Sequence, residues 1–162
     1  MAGFADSYLG RLRQTVGTRL ILMPGSRIVI EDRQGRILLQ ERADVHRWGL
    51  PGGHAEDGEN IVTITEREVA EETGLIIKDP TPFGFGSDPT FETFVYPNGD
   101  QVHSFVMMFF TRDFTGEARV ADDESTAVGW FAPDALPDVL PNMRRTIEAY
   151  RRFSQTGVFQ MI

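Results

Sequence analysis

Between Asn60 and Gly74 the chain must form one capped helix whose inward face starts apolar and ends acidic. Asn60 is a favourable N-cap residue and Gly74 a favourable residue just past a helix C-terminus. About four turns fit between them. At 100° per residue, Ile61, Ile64, Thr65, Glu68 and Glu72 share one side, Glu71 sits at its edge, and Glu66 and Ala70 lie opposite. Glutamates on a core-directed face are costly unless paired or bound to metal. Glu68, Glu71 and Glu72 stand at i, i+3 and i+4, so their side chains converge. Without a cation they repel and raise one another's pKa. An all-oxygen donor set of this kind suits Mg²⁺ or Mn²⁺.

The helix is part of a longer pattern. From Gly53 to Leu75 the chain reads G-x5-E-x7-R-E-U-x-E-E-x-G-U, where U is aliphatic. Gly53, Glu59, Arg67, Glu68, Glu71, Glu72 and Gly74 are the fixed identities. At roughly 6% usage per residue type, their joint chance occurrence is on the order of one in a hundred million or less per start site. The run resembles the signature of the Nudix hydrolases, without departures. The resemblance covers about Arg19 to Leu136. It implies an α/β fold, an α/β/α sandwich with a mixed central sheet, and Mg²⁺-dependent hydrolysis of a nucleoside diphosphate linked to a group X. By the same resemblance the metal ligands are Glu68, Glu71, Glu72 and the carbonyl of Gly52. Arg67 pairs with Glu59 and orients Glu68. Glu124, in the acidic run Asp122-Asp123-Glu124, is a second candidate for the base that activates water, beside Glu68. Arg42 resembles a phosphate-contacting arginine.

Substrate choice has one cue. Some ADP-ribose hydrolases of the family share a proline about fifteen residues beyond the last signature glycine, and Pro89 stands fifteen beyond Gly74. Some diadenosine polyphosphate hydrolases share a tyrosine slightly further on, where this chain has Phe91 and Thr93. ADP-ribose or a nucleotide sugar is therefore the first expectation. A nucleoside triphosphate or dinucleoside polyphosphate is the enzymatic alternative, and a non-catalytic nucleotide-binding regulator is the alternative of another class. Regulators of this kind often lose catalytic glutamates, and none is missing here. Tyr96, Phe91 and His103 are candidates for a nucleoside pocket, with core packing the favoured reading.

Composition narrows the rest. A length of 162 residues fits a single domain, residues 1–162. Cysteine is absent, which excludes disulfides, thiolate zinc sites and a cysteine nucleophile. A formal net charge of −8 disfavours long nucleic acid as a partner. A small nucleotide stays compatible, because a divalent cation inverts the local charge. Met1 to Val16 lacks a signal-peptide core, and Phe105 to Phe110 is too short to cross a membrane. Cytoplasmic residence, no membrane partner and a homodimer are the accompanying expectations.

Elsewhere, a helix is expected over Ala5 to Gln14 and a strand over Arg19 to Met23, broken by Pro24-Gly25. Ser26 to Asp32 and Arg36 to Arg42 read as a hairpin. Leu75 to Phe85 reads as a strand, and Gly84 to Pro89 as a loop. Phe91 to Tyr96 and Gln101 to Thr111 read as strands joined by Pro97-Asn98-Gly99-Asp100, the second covered on both faces. Gly129 to Phe131 reads as a strand. A brief helix is expected at Pro133 and a terminal helix over Asn142 to Ser154, with Met143, Ile147 and Tyr150 on one stripe.

Overall fold

The computed structural model describes residues 4–162. Two long strands form its spine: β1 (Leu20–Ile30) and β8 (Gln101–Thr111). They run parallel in unbroken register, from Leu20 opposite Gln101 to Ile30 opposite Thr111. β8 is apolar on both faces and has strands on both sides, as its sequence predicts. β6 (Thr81–Gly86) and β7 (Thr93–Val95) pair antiparallel with its two halves. β4 (Gly52–His54) adds antiparallel to β1, and β11 (Gln160–Met161) adds parallel to β6. The sheet is therefore mixed. A second small sheet holds β2 (Ile37–Arg42), β3 (Trp48–Gly49) and β10 (Ser125–Phe131) in the order β10-β2-β3.

Helices cover the two faces. Helix α2 (Ile61–Thr73) closes one face, where Val69 packs with Ile28, Ile30, Leu38 and Phe109. Helix α4 (Pro141–Thr156) closes the other, where Ile147, Ala149 and Tyr150 pack with Val29, Leu39, Phe83 and Met108. This is the expected α/β/α sandwich. Of the α4 stripe, Ile147 and Tyr150 are buried and Met143 is half-buried. Helix α1 (Tyr8–Val16) follows a 3₁₀ turn at Phe4–Asp6 and begins at the N-cap Ser7, later than the expected Ala5. Among the described residues no helix is long and apolar enough to cross a membrane.

Several local expectations are corrected. Pro24-Gly25 does not break β1. On the edge opposite β8 the β4 ladder starts only at Gly25; Pro24 stands at its end, where its carbonyl accepts from the Ala55 N–H at 3.1 Å, and proline is tolerated there. Gly25 serves close approach, since a Cβ there would lie 2.6 Å from the Gly53 carbonyl oxygen. The hairpin turn forms, with the Asp32 N–H donating to Arg36 O at 2.9 Å, but pairing stops at the Glu31–Ile37 bridge. Beyond it β2 leaves for the second sheet. Leu75 to Phe85 divides into β5 (Ile76–Ile77) and β6 at Asp79, whose φ of 45° no strand accommodates. Gly84 to Gly86 belong to β6 rather than to a loop, and Phe91-Glu92 belong to a short helix, α3 (Pro89–Glu92), capped by Asp88. Pro133 starts only a turn, in which the Ala135 N–H donates to Ala132 O at 2.9 Å, and the chain stays non-helical until α4.

Candidate active site

Helix α2 forms as its caps dictate. The Asn60 side chain accepts from the Val62 and Thr63 N–H groups, Thr63 Oγ1 accepts from the Asn60 N–H, and Gly74 is left-handed at φ 71°. The Thr65 hydroxyl donates to Ser26 Oγ at 2.8 Å and pins the middle of the helix to β1. This pinning carries the acidic half of α2 over the Gly52–His54 strand.

Glu72 is the most deeply placed carboxylate there, 6% exposed. It accepts from the Gly52 N–H at 2.9 Å and is hydrogen-bonded by the Gln40 side chain. Burial, and then the charge of Glu68, push its pKa well above the usual carboxylate range. Glu68 lies against Gly53 so closely that a Cβ there would fall 2.2 Å from Glu68 Oε1. Its pKa is pushed up to about 7 by burial, against the lowering effect of Arg67. Gly52, at φ 149°, is similarly constrained: a Cβ would meet Ser26 O at 2.2 Å. Only glycines let this strand slide between β1 and the helix.

Arg67 is bonded all round. Its Nε and Nη2 donate to the two Glu59 carboxylate oxygens at 2.6 and 3.0 Å, and Nη2 also donates to His54 O at 3.1 Å. Its Nη1 stands 3.0 Å from both Glu68 Oε1 and Glu71 Oε2. Glu59 therefore holds the guanidinium fork, and the fork holds Glu68 and Glu71. Glu71 is the exposed member of the group.

Glu124, just before β10, comes within electrostatic reach of Glu68, and Glu71 and Arg42 act on it in turn. Burial and the neighbouring Asp122 raise its pKa. Arg42, at the end of β2, is engaged by Asp44 through two bonds of 3.0 and 2.7 Å and stands 5.7 Å over the Phe94 ring. Phe94 packs edge-on against Tyr96 at 4.7 Å. Of the three pocket candidates, Tyr96 joins this Arg42 cluster. Phe91 instead lies under the Arg145 guanidinium at 4.0 Å, and His103 Nε2 bonds Ser87 O at 2.9 Å.

Among the described residues no three His, Asp or Glu side chains already stand as a ligand set for one ion. In the present arrangement the carboxylates turn to Arg67 and to the Gly52 N–H. Their chemistry nonetheless fits a hard divalent cation: they are adjacent and oxygen-only, and the half-buried Glu68 and buried Glu72 are drawn out of solvent, with the charge of Glu68 raising the pKa of Glu72. Glu68, Glu71 and Glu72, with the Gly52 backbone, are the residues that could hold it.

Three groups here escape a reading by pattern. Gln40 is buried on β2, with Oε1 accepting from Ser125 Oγ at 2.7 Å. A polar residue following Ile-Leu-Leu in a buried strand was the available signal. His54 Nε2 lies 2.8 Å from Ser104 Oγ, and burial, then Arg27 and Arg42, lower its pKa to about 4. Behind the site, Arg27 on β1 forms an ion pair with Glu92 on α3. Nothing local marks that pair.

Comparison with known proteins places this arrangement. A family model of the NUDIX domain matches residues 22–152. An ADP-ribose pyrophosphatase of Methanocaldococcus jannaschii is 32% identical over 139 residues, 83% of this chain and 78% of that protein. A Bacillus subtilis (strain 168) protein assigned as an 8-oxo-dGTP diphosphatase is 30% identical over 132 residues, 81% of each chain. The crystal structure of a MutT NUDIX hydrolase from Burkholderia pseudomallei superposes with a TM-score of 0.67 at 30% identity, covering 80% of this chain and 98% of that one. With the family's signature carried on a helix that buries its carboxylates beside Gly52 and Gly53, the chain belongs to the Nudix family and is a hydrolase of phosphoric anhydride bonds.

Proposed function

We propose that this chain is an Mg²⁺- or Mn²⁺-dependent pyrophosphohydrolase of nucleoside diphosphates linked to a second group, with ADP-ribose or a nucleotide sugar as the first substrate class. One observation supports the chemistry above the others: the half-buried Glu68 and the buried Glu72 are raised in pKa and set beside Gly52 and Gly53 by a helix that has no packing reason to carry them. A divalent cation bound by Glu68, Glu71, Glu72 and the Gly52 carbonyl would neutralise the diphosphate and make water a better nucleophile. Arg67 keeps Glu68 and Glu71 in place. Glu68 or Glu124 takes the proton from the attacking water; each has a pKa raised above the ordinary carboxylate value, which suits a base working near neutrality. Arg42 meets a substrate phosphate after giving up part of its bond to Asp44. In-line attack on one phosphorus releases a nucleoside monophosphate and a phosphorylated partner.

ADP-ribose is supported by the Pro89 spacing and by the archaeal relative of that name. The bacillar relative favours a nucleoside triphosphate as the second reading. Chelated protein should be inactive and recover with Mg²⁺ or Mn²⁺. A panel of ADP-ribose, nucleotide sugars, triphosphates and dinucleoside polyphosphates under one metal condition then tests the substrate. ADP-ribose should yield AMP and ribose 5-phosphate. A triphosphate preferred by more than about tenfold in kcat/KM, roughly 1.4 kcal/mol in transition-state binding, overturns the substrate class and leaves the reaction class standing. Two substitutions separate the roles of the outer residues. Glu124→Gln should lower kcat more than it raises KM, and Arg42→Ala should do the reverse. A Glu124→Gln enzyme equal to the parent returns that carboxylate to the solvated surface.

A homodimer is the assembly we favour. Leu20, Leu22, Val95 and Phe105 are exposed on one face of the main sheet, Leu20 and Val95 flanking Gln101, Leu22 paired with His103 and Phe105 with Pro24. None of these residues is charged, so in a chain of net charge −8 this face lets two copies meet without opposing carboxylates. Sedimentation velocity on the full chain decides it.

A further inference from the structure

The family match begins at residue 22, so helix α1 lies outside it. That helix is nonetheless fastened at both ends. At its C-terminal end the buried Arg13 donates to Gly17 O, Arg19 O and, across the sheet, Gln101 O, and in its first turn Leu9 packs on Met23 and Val102. At its N-terminal end the Tyr8 N–H, which has no partner within the helix, donates to Glu56 Oε2 at 2.8 Å. One turn further on, Arg11 pairs with Asp57.

Glu56 and Asp57 belong to the loop between β4 and α2, and that loop leads directly to Glu59. The Glu56 N–H donates to Glu59 Oε2 at 2.9 Å, and the Glu59 N–H to Glu56 O at 3.2 Å. Glu59 in turn grips Arg67, which holds Glu68 and Glu71. An unbroken series of hydrogen bonds and ion pairs thus runs from α1 to the carboxylates. Close packing does not supply this connection. A cleft of about 320 Å³, walled by Leu12 of the helix and by residues 55–58 of the loop and floored by Leu22 and Met23 of β1, lies between the two, leaving the polar contacts of Tyr8 and Arg11 to bridge it.

We infer that α1 is a strut of the metal site: Arg11 and Glu56 are positioning residues that fix the 55–58 loop, and through Glu59 and Arg67 they set the carboxylates for the divalent cation. This rests on the reading of α2 as the metal helix. Isothermal titration of the full chain with Mn²⁺ tests it, for the parent, Arg11→Glu, Glu56→Ala, and the charge-swapped double variant Arg11→Glu with Asp57→Arg. Arg11→Glu should weaken Mn²⁺ binding by about threefold, within the reach of an exposed ion pair. Glu56→Ala should do the same, and the charge swap should restore parental affinity. The thermal midpoint should move by no more than about 2 °C, because the pair is solvent-exposed. An unchanged affinity in Arg11→Glu, or a charge swap that fails to restore it, overturns the strut. Should Arg11→Glu not fold, Asp57→Asn removes the same ion pair without reversing a charge, and parental affinity there is equally fatal. A parent chain that binds no Mn²⁺ refutes the metal helix itself. A parent that binds beside variants that bind equally well refutes only the strut.

Discussion

Glu72→Gln is expected to do two opposite things: lower kcat by at least about a hundredfold and stabilise the metal-free fold. The loss of rate follows from removing a charge that acts on the transition state. The gain in stability follows from burial. Glu72 is hidden from solvent, next to a second carboxylate, and its folded pKa is raised well above 4.5. A carboxylate with a raised folded pKa opposes folding once the unfolded chain ionises, so the cost is absent below about pH 4 and grows as pH climbs toward the folded pKa. The neutral glutamine escapes that cost and can still accept from the Gly52 N–H. At pH 7 in chelator its melting temperature should exceed the parent's by about 3 °C or more, the shift of roughly 1 kcal/mol in a chain of this size. At pH 4 the two should melt together. Added Mg²⁺ should stabilise the parent far more than the variant. Glu68→Gln should show the same signature, weakened by its contact with Arg67. Retained activity in either variant would show that the metal is held elsewhere.

The second large effect lies behind the site. Arg27 and Glu92 are 5% and 4% exposed and tie β1 to α3, while Arg27 Nη1 also donates to Thr146 Oγ1 on α4 at 3.1 Å. Removing one partner of such a pair leaves a charge buried and uncompensated, which typically costs about 3–5 kcal/mol. Glu92→Ala should therefore lower the melting temperature by roughly 10 °C. Arg27→Met combined with Glu92→Leu should recover most of that loss, since a buried pair is often replaceable by apolar packing. Urea unfolding of the two variants makes the comparison. A Glu92→Ala chain within about 1 kcal/mol of the parent would mean that water reaches Arg27.

What could be read from the sequence divides along physical lines. Helix α2 was legible because everything that defines it is local: Asn60 and Gly74 at its ends, and an apolar-to-acidic face at helical spacing. The grip of Arg67 on Glu59 was expected only through family resemblance, and the structure has it. β8 was legible because its apolar residues, from Val102 to the unbroken run Phe105–Phe110, fall on both faces of an extended segment. β3, β5, β9 (Phe114–Thr115) and β11 have two residues each and show no period at all. β4 was missed although it carries Gly52, Gly53 and His54, because glycines write no pattern. Pro24 misled because proline's usual meaning yields at the end of a ladder, where its carbonyl still accepts from the Ala55 N–H. The pairing of Arg27 with Glu92 spans 65 positions and could not be anticipated from either residue's neighbours. Arg42 was expected to face a phosphate, and its two bonds to Asp44 show that a ligand must compete for it.

The register of β1 against β8 carries a constant offset of 81 positions, from Leu20–Gln101 to Ile30–Thr111. Parallel strands so far apart in the chain cannot be zipped from a turn. The loop between them must close first, at an entropic cost that no local contact offsets in advance. Everything that gathers the carboxylates, from Ser26 under Thr65 to Gly25 under Gly53, hangs on β1 being seated. On the ribosome, helix α2 can therefore form early as a helix. Its acidic face acquires a fixed floor only once the residues up to Thr111 have emerged, nearly forty residues after the end of the helix itself, so during synthesis the helix precedes its site.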